Sequence, residues 1–141
     1  MMNTDSTDYR NEVTMRLQDA GVSPTQQRME IAQILFSRPQ HLSAEQVLHI
    51  VNAQGPVVSK ATVYNTLGLF ARKGLVREVI VDPTKVFYDS NTSEHHHFYN
   101  IDTGKLTDID NHDLKLDNMP LLPEGTEAEG VDVIIRVRHS R

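Results

Sequence analysis

Apolar residues recur at helical spacing in four separate runs within the first 75 residues of the chain. Val13 and Leu17 share one face of a first predicted helix over residues 9–20. Gly21 follows this run and can adopt the left-handed conformation that commonly ends a helix. The pattern therefore predicts that the chain begins with helical structure.

The segment Ser23-Pro24-Thr25-Gln26 predicts the start of a second helix. Ser23 offers a capping oxygen three residues before Gln26, and Pro24 suits the first helical turn. Apolar residues at helical spacing follow this segment. The helix is expected to end near Arg38-Pro39, because a proline disfavours helical geometry in the residue before it.

A third and a fourth helix follow the same logic. Ser43 and Gln46 repeat the capping-box spacing, and Gly55-Pro56 stops the run of apolar residues that comes after them. Ser59 opens a fourth amphipathic run, which Gly74 ends. Four helices are thus predicted before residue 75.

The hydrophobic period then changes from helical to alternating. Residues 75–81 and 85–88 are rich in β-branched and aromatic residues, and Asp82-Pro83-Thr84 between them favours a turn. Helices followed by a two-stranded hairpin are typical of a winged helix-turn-helix domain. In that architecture the helix before the hairpin enters the DNA major groove, so the fourth helix is the predicted reading helix.

The start of the fourth helix carries side chains suited to reading DNA. A lysine can contact phosphate, small methyl groups can contact thymine, and an asparagine amide can pair with adenine. The predicted DNA-binding residues are Lys60, Ala61, Thr62, Tyr64 and Asn65. Packing of the tyrosine and solvation of the asparagine would explain these two residues equally well.

A polar linker separates this domain from a second, smaller one. We expect a DNA-binding domain at 1–89, a hinge at 90–93 and a second domain at 94–141. The second domain is too small to be stable alone, so it is expected to complete its core in a homodimer. Its first predicted element is a hairpin of strands 95–101 and 105–109 with the turn at Thr103-Gly104. Pro120 and Pro123 limit any helix after Asp110 to about two turns, and a final strand is predicted at 131–137. The chain as a whole is predicted to be α+β.

Charge and cysteine content narrow the function. The net charge of −5 lies entirely in residues 91–141, whereas residues 54–81 carry four basic side chains against Glu78 alone. The absence of cysteine excludes disulfides and thiolate zinc sites, so metal chemistry falls to the seven histidines. The polar, acidic N-terminus and the lack of a long apolar run predict a cytoplasmic protein.

Three adjacent histidines follow Glu94 on a predicted strand. Because side chains alternate along a strand, His95 and His97 face one side and His96 the other. A turn that pairs residue 102 with residue 105 would place His97 opposite Asp110 and diagonal to Asp108.

Imidazole and carboxylate donors suit Fe²⁺, Mn²⁺ or Zn²⁺, and adjacent imidazoles also suit haem iron. The spacing of these residues does not distinguish a metal ion from haem. His41 and His139 are weaker candidate ligands.

An enzyme is not expected, because the chain has no His-Glu-x-x-His motif, no glycine-rich phosphate loop and no Gly-x-Ser-x-Gly motif. A metal or haem storage module would leave the reading helix and the wing without a role.

Five stretches of the chain resemble the ferric uptake regulator (Fur) superfamily. The last two are most similar to its iron response regulator (Irr) branch. The stretches are residues 21–28, 41–45, 59–67, 86–91 and 95–100.

The resemblance implies a homodimer with a winged-helix DNA-binding domain and a small α/β dimerisation domain. It places His41, His97 and Asp108 at an inter-domain regulatory metal site, and His96 and His139 at a second site. Tyr88 with Asp89 stands where many members have a glutamate ligand. Lys115 lies near the position of a common carboxylate ligand. The paired CxxC motifs are absent, so no structural zinc held by four cysteines is expected.

The function implied by the Irr resemblance is transcriptional control of iron and haem genes. Haem would bind His95, His96 and His97 and lower either the affinity for an AT-rich palindromic operator or the stability of the protein. A conventional Fe²⁺- or Mn²⁺-dependent repressor of the same superfamily is the alternative. There the metal would promote DNA binding.

Overall fold

The structure, a computed structural model, describes residues 4–53, 55 and 58–140. The chain forms two compact units, Met1–Thr92 and Ser93–Arg141, and the division falls inside the stretch expected to be a hinge. No helix in this described part of the chain is both long enough and apolar enough to cross a bilayer.

The first unit contains the four predicted helices and the predicted hairpin. It also contains a three-residue strand ahead of the third helix, which the sequence pattern did not predict. The elements are α1 (Thr4–Asp19), α2 (Gln26–Phe36), β1 (His41–Ser43), α3 (Ala44–Val51), α4 (Lys60–Arg72), β2 (Arg77–Asp82) and β3 (Lys85–Asp89).

Of the N-terminal caps predicted for α2 and α3, only the one for α3 is present. The capping box at α3 is confirmed, since Gln46 N–H donates to Ser43 Oγ at 3.2 Å and Ser43 N–H donates to Gln46 Oε1 at 2.9 Å. The cap assigned to Ser23 is wrong. Thr25 caps α2 instead and accepts from Arg28 N–H at 3.4 Å, because α2 begins at Gln26 and the residue directly before it supplies the cap.

The helices of the first unit enclose one hydrophobic core. Its fully buried side chains come from all four helices and include Val13, Leu17, Ile31, Leu35, Val47, Val63, Leu67 and Phe70. Because the buried face of α4 is anchored in this core, the opposite face of its first two turns points to solvent.

The sheet of the first unit has the strand order β1-β3-β2. Strand β3 pairs with β2 as the predicted hairpin and with β1 on its other edge, and this second pairing places His41 opposite Asp89. Asp82 closes the hairpin turn, because its side chain accepts from the backbone N–H and the hydroxyl of Thr84, each at 2.7 Å.

The second unit is a three-stranded sheet with the order β5-β4-β6. Its strands are β4 (His96–Asn100), β5 (Leu106–Ile109) and β6 (Ile134–Val137). The short helix expected after Asp110 is wrong, since residues 93–140 contain no helix. Pro120 and Pro123 lie in an exposed stretch without regular secondary structure instead, which agrees with their poor fit to a helix.

The register of the second hairpin differs from the predicted one by two residues. A loop of residues 101–104, rather than a two-residue turn, joins β4 to β5. Asn100 shapes this loop, because its side chain accepts from the N–H groups of Asp102 and Thr103. His97 therefore pairs with Asp108 and not with Asp110. The protein is α+β, with a winged helix-turn-helix domain followed by a small sheet domain.

Candidate metal centre and nucleic-acid surface

Two buried imidazoles in the second unit converge on one carboxylate oxygen. Asp108 Oδ1 lies 3.5 Å from His95 Nε2 and 3.3 Å from His97 Nε2. The two rings lie 4.6 Å apart, and both histidines are buried, whereas Asp108 is 54% exposed. The prediction that His95 and His97 share one side of the strand is confirmed. The altered register brings Asp108 directly opposite His97.

The ring of His95 is oriented by the chain next to it. Its Nδ1 lies 2.7 Å from the carbonyl oxygen of Ser93, which can only accept, so Nδ1 carries the proton and donates. In the neutral ring Nε2 then presents a lone pair toward Asp108. The His95 Nε2 lone pair and the Asp108 carboxylate oxygen repel each other unless a proton or a cation lies between them.

A second donor pair lies in the first unit, where β1 and β3 meet. His41 Nε2 is 3.1 Å from Asp89 Oδ2, and Asp89 is 2% exposed. Asp89 Oδ1 accepts from the backbone N–H of Asn91 at 2.9 Å. Burial, followed by the charges of Glu78 and Tyr64, raises the pKa of Tyr88, the residue before Asp89 in β3, so this phenol stays neutral.

The donor set fits a divalent ion of borderline or hard character. His95, His97 and Asp108 each offer a donor atom within 4.8 Å of the others. Two imidazoles and a carboxylate, in a chain without cysteine, suit Mn²⁺, Fe²⁺ or Zn²⁺. Sequence reasoning assigned His95 to haem alone and missed it as a candidate metal donor. Its two-residue spacing from His97 on a strand was the signal available.

The structure does not bring the other candidate ligands together. His96 Nδ1 accepts from the backbone N–H of Val133 at 3.0 Å, so in the neutral ring Nε2 carries the proton and neither nitrogen offers a free lone pair. His139 lies near the far end of β4, where its N–H donates to Asp102 Oδ2 at 2.8 Å. His139 thus lies beyond the end of β6 and at the opposite end of β4 from His96. Glu94 is exposed on the segment before β4.

The side chains predicted to read DNA lie on the first two turns of α4. Ser59 caps this helix, since Thr62 N–H donates to its hydroxyl at 3.1 Å. Tyr64 is 41% exposed, and the Lys60 ammonium lies 5.8 Å from the centre of its ring. Ala61 and Asn65 are also exposed, whereas Thr62 is half-buried and its Oγ1 lies 2.9 Å from Ser59 Oγ. The arrangement leaves a cation, a phenol and an amide available to a ligand.

Comparisons with known proteins agree with this fold. The family model described as "Ferric uptake regulator family" matches residues 19–135. The chain is 34% identical over 93 residues to the peroxide-responsive repressor PerR of Staphylococcus aureus. This match covers 66% of the chain and 63% of that relative, so the chain spans less than two thirds of the relative's length.

Solved structures of the same family share the fold. The ferric uptake regulator from Pseudomonas aeruginosa with manganese has a TM-score of 0.68 at 26% identity, covering 91% of this chain and 98% of its own. The ferric uptake regulator from Francisella tularensis with iron has a TM-score of 0.68 at 23% identity, covering 84% of this chain and 92% of its own.

These proteins are transcription regulators rather than enzymes. The resemblance to the Irr branch stays a prediction. The match to the family model and the shared fold together establish that the chain belongs to the ferric uptake regulator family.

Proposed function

We propose that this protein is a dimeric, DNA-binding transcription regulator whose DNA affinity is controlled by a divalent metal ion. The observation that carries the proposal is the convergence of His95 Nε2 and His97 Nε2 on Asp108 Oδ1. Buried imidazoles around a carboxylate are costly as a purely structural arrangement and suited to a cation.

The ion is held by His95, His97 and Asp108, and we propose His41 and Asp89 as further donors to the same ion. Three protein donors leave positions open on Mn²⁺ or Fe²⁺, which suit more ligands than tetrahedral Zn²⁺. Only five residues separate Asp89 from His95, so chain length alone keeps them within about 20 Å of each other. Donors from both units make the ion a link between DNA-binding and regulatory units.

The nucleic-acid partner is double-stranded DNA with an AT-rich palindromic operator. The exposed start of α4, with Lys60, Tyr64 and Asn65, supports a contact in the major groove. A palindrome requires two copies of α4, and the second unit supports dimerisation because Tyr99, Leu106 and Ile109 are its buried apolar residues among those described. So few buried apolar side chains favour completion of the core by a second copy.

Regulation follows from unequal affinity of the ion for two arrangements of the units. An ion that binds donors from both units favours whichever arrangement brings these donors together. If that arrangement also binds the operator better, the ion raises DNA affinity and DNA raises ion affinity by the same factor. The ion then acts as a co-repressor.

The second candidate is a haem response of the Irr type through His95, His96 and His97. The observation in its favour is the run of three adjacent imidazoles at the start of β4. Burial argues for the smaller ligand, since His97 is 0% exposed and the Nδ1 of His96 already accepts from Val133. Haem would need these groups to rearrange, whereas a single ion fits donors that already converge.

Operator binding in three ligand states separates the two candidates. Fluorescence anisotropy with a labelled AT-rich palindrome, at one stated salt concentration, is measured for metal-free, Mn²⁺-loaded and haem-loaded protein. Tighter binding with Mn²⁺, lost in His97→Ala, supports the metal co-repressor. Release by haem from DNA that the metal-free protein already binds supports the Irr-type response instead.

Tyr64→Ala tests the DNA surface in the same assay. We expect the operator-binding free energy to weaken by about 1–3 kcal/mol while binding to unrelated DNA changes little, because Tyr64 is exposed on the first two turns of α4 and is the residue proposed to contact a base. His49→Ala, an exposed change on α3, is the matched control. Equal operator affinity in Tyr64→Ala and the parent protein would remove this residue from base recognition.

A further inference from the structure

The hinge at residues 90–93 supplies two hydrogen-bonding groups to the candidate metal ligands on either side of it. The backbone N–H of Asn91 donates to Asp89 Oδ1 at 2.9 Å. The ring Nδ1–H of His95 donates to the carbonyl oxygen of Ser93 at 2.7 Å. Each bond spans two residues and lies within one unit. The hinge backbone is therefore tied to a ligand side chain at both of its ends.

Each of these bonds uses the atom that an ion does not need. Asp89 engages the hinge through Oδ1 and leaves Oδ2 toward His41 Nε2. His95 engages the hinge through Nδ1 and leaves Nε2 toward Asp108. Hydrogen bonds of this kind to the second atom of a ligand orient it and set its basicity.

We propose that the hinge is itself a metal-sensing element, in which the Asn91 N–H and the Ser93 carbonyl position Asp89 and His95 for an ion. This inference rests on the proposed metal site. This effect is reciprocal by thermodynamic linkage. If the two hinge hydrogen bonds strengthen ion binding, the bound ion stabilises these hydrogen bonds by the same free energy. Ion binding therefore restrains the backbone that joins the two units, through bonds local to the hinge. A passive linker would not respond to the ion.

Hydrogen exchange of the full-length chain tests the proposal without any substitution. We expect the Asn91 amide to exchange more slowly in Mn²⁺-loaded than in metal-free protein. The matched control is the Thr84 amide, which makes the same kind of contact to Asp82 Oδ1 at 2.7 Å in the wing. Its exchange should be the same in both states.

Asn91→Pro tests whether the same hydrogen bond contributes to ion affinity. Proline removes the N–H that Asp89 accepts, and we expect Mn²⁺ affinity measured by calorimetry to fall roughly ten- to a hundredfold. Asn91→Ala keeps the N–H and should bind Mn²⁺ as the parent does. Thr92→Pro is the control for a stiffer backbone, because it places a proline ring in the hinge but keeps the Asn91 N–H.

The visible spectrum of bound Co²⁺ gives a second measurement, since it reports which side chains bind the ion. It should change in Asn91→Pro and stay unchanged in Asn91→Ala.

The inference is overturned if Asn91 exchanges equally in both states and Asn91→Pro binds Mn²⁺ as tightly as Asn91→Ala. If Asn91→Pro fails to fold, exchange in the unaltered chain decides by itself. His97→Ala separates this result from failure of the metal site. If His97→Ala loses Mn²⁺ binding and Asn91 exchange in the parent protein does not respond to Mn²⁺, only the hinge proposal is overturned. Unchanged Mn²⁺ binding in His97→Ala overturns the metal site as well.

Discussion

The two units of this protein bury different kinds of side chain. In the first unit the buried core consists of apolar residues contributed by four helices and the sheet, with Phe70, Leu35 and Ile31 fully enclosed. In the second unit, among the described residues, buried His95 and His97 accompany a few buried apolar side chains. The first unit thus resembles an independent domain, and the second resembles a scaffold for polar ligands.

Because their buried side chains differ, the two units should be stabilised by different interactions. Burial of apolar surface stabilises the first unit without any ligand. In the second unit, two imidazoles occupy positions where apolar side chains would contribute more to folding. Its stability should therefore depend on what it binds, an ion and a second copy. Four predictions test this contrast, from the largest expected effect to the smallest.

Phe70→Ala should destabilise the first unit by about 3–5 kcal/mol, because it leaves a large cavity in an apolar core. Urea denaturation followed by circular dichroism measures the effect. Phe98→Ala in the second unit is the matched control, since Phe98 is 36% exposed and its removal leaves no enclosed cavity. Similar losses in both variants would contradict the assignment of the main core to the first unit.

Saturating Mn²⁺ should stabilise the parent protein by about 2.7 kcal/mol when its free concentration is a hundred times Kd. The same ion should leave the stability of His97→Ala unchanged, because a donor of the proposed site is lost. Comparing each protein with and without Mn²⁺ cancels the cavity left by the substitution. His112→Ala, an exposed change in the same unit, should keep the full response. An equal Mn²⁺ response in His97→Ala would show that the ion stabilises the protein from another site.

Ser43→Ala should cost about 1 kcal/mol, because the first turn of α3 loses its capping hydroxyl. Ser43 ends β1, the strand that begins with the proposed ligand His41, so a small loss of Mn²⁺ affinity should accompany the loss of stability. Ser23→Ala is the control, since Ser23 does not cap α2, and its unfolding midpoint should match that of the parent. A cost for Ser23→Ala as large as for Ser43→Ala would contradict the observed caps.

The wing turn should depend weakly on pH. Hydrogen bonds from Thr84, side chain first, lower the pKa of Asp82 below its usual value of 3.8. A carboxyl whose pKa is lower in the folded state stabilises that state above its unfolded pKa. The contribution disappears as the pH falls through the folded pKa. Asp82→Asn should therefore flatten the acid limb of the stability curve below about pH 4, measured by thermal unfolding.

An unchanged acid limb in Asp82→Asn would show that the turn contributes nothing to acid sensitivity.

Local pattern in the sequence predicted the helices, the α3 cap, the wing and the alternation of His95 and His97. These features depend on neighbours within a few residues, where periodicity and capping chemistry are decisive. The resemblance added the assignment of His41, His97 and Asp108 to one inter-domain metal site. The comparisons confirm the family from which this assignment follows, and the shared site itself stays a prediction.

Only the tertiary structure decided which side chains meet. Strand β1 has three residues, too few to show a period, and its partner β3 lies more than 40 residues away, so the His41–Asp89 pair could not be read from local pattern. The pairing of His97 with Asp108 depended on the loop of residues 101–104, in which two backbone N–H groups donate to the side chain of Asn100. Strand register is a property of the folded chain, because it is fixed by hydrogen bonds between residues that are far apart in the sequence and by the hydrophobic faces that must meet.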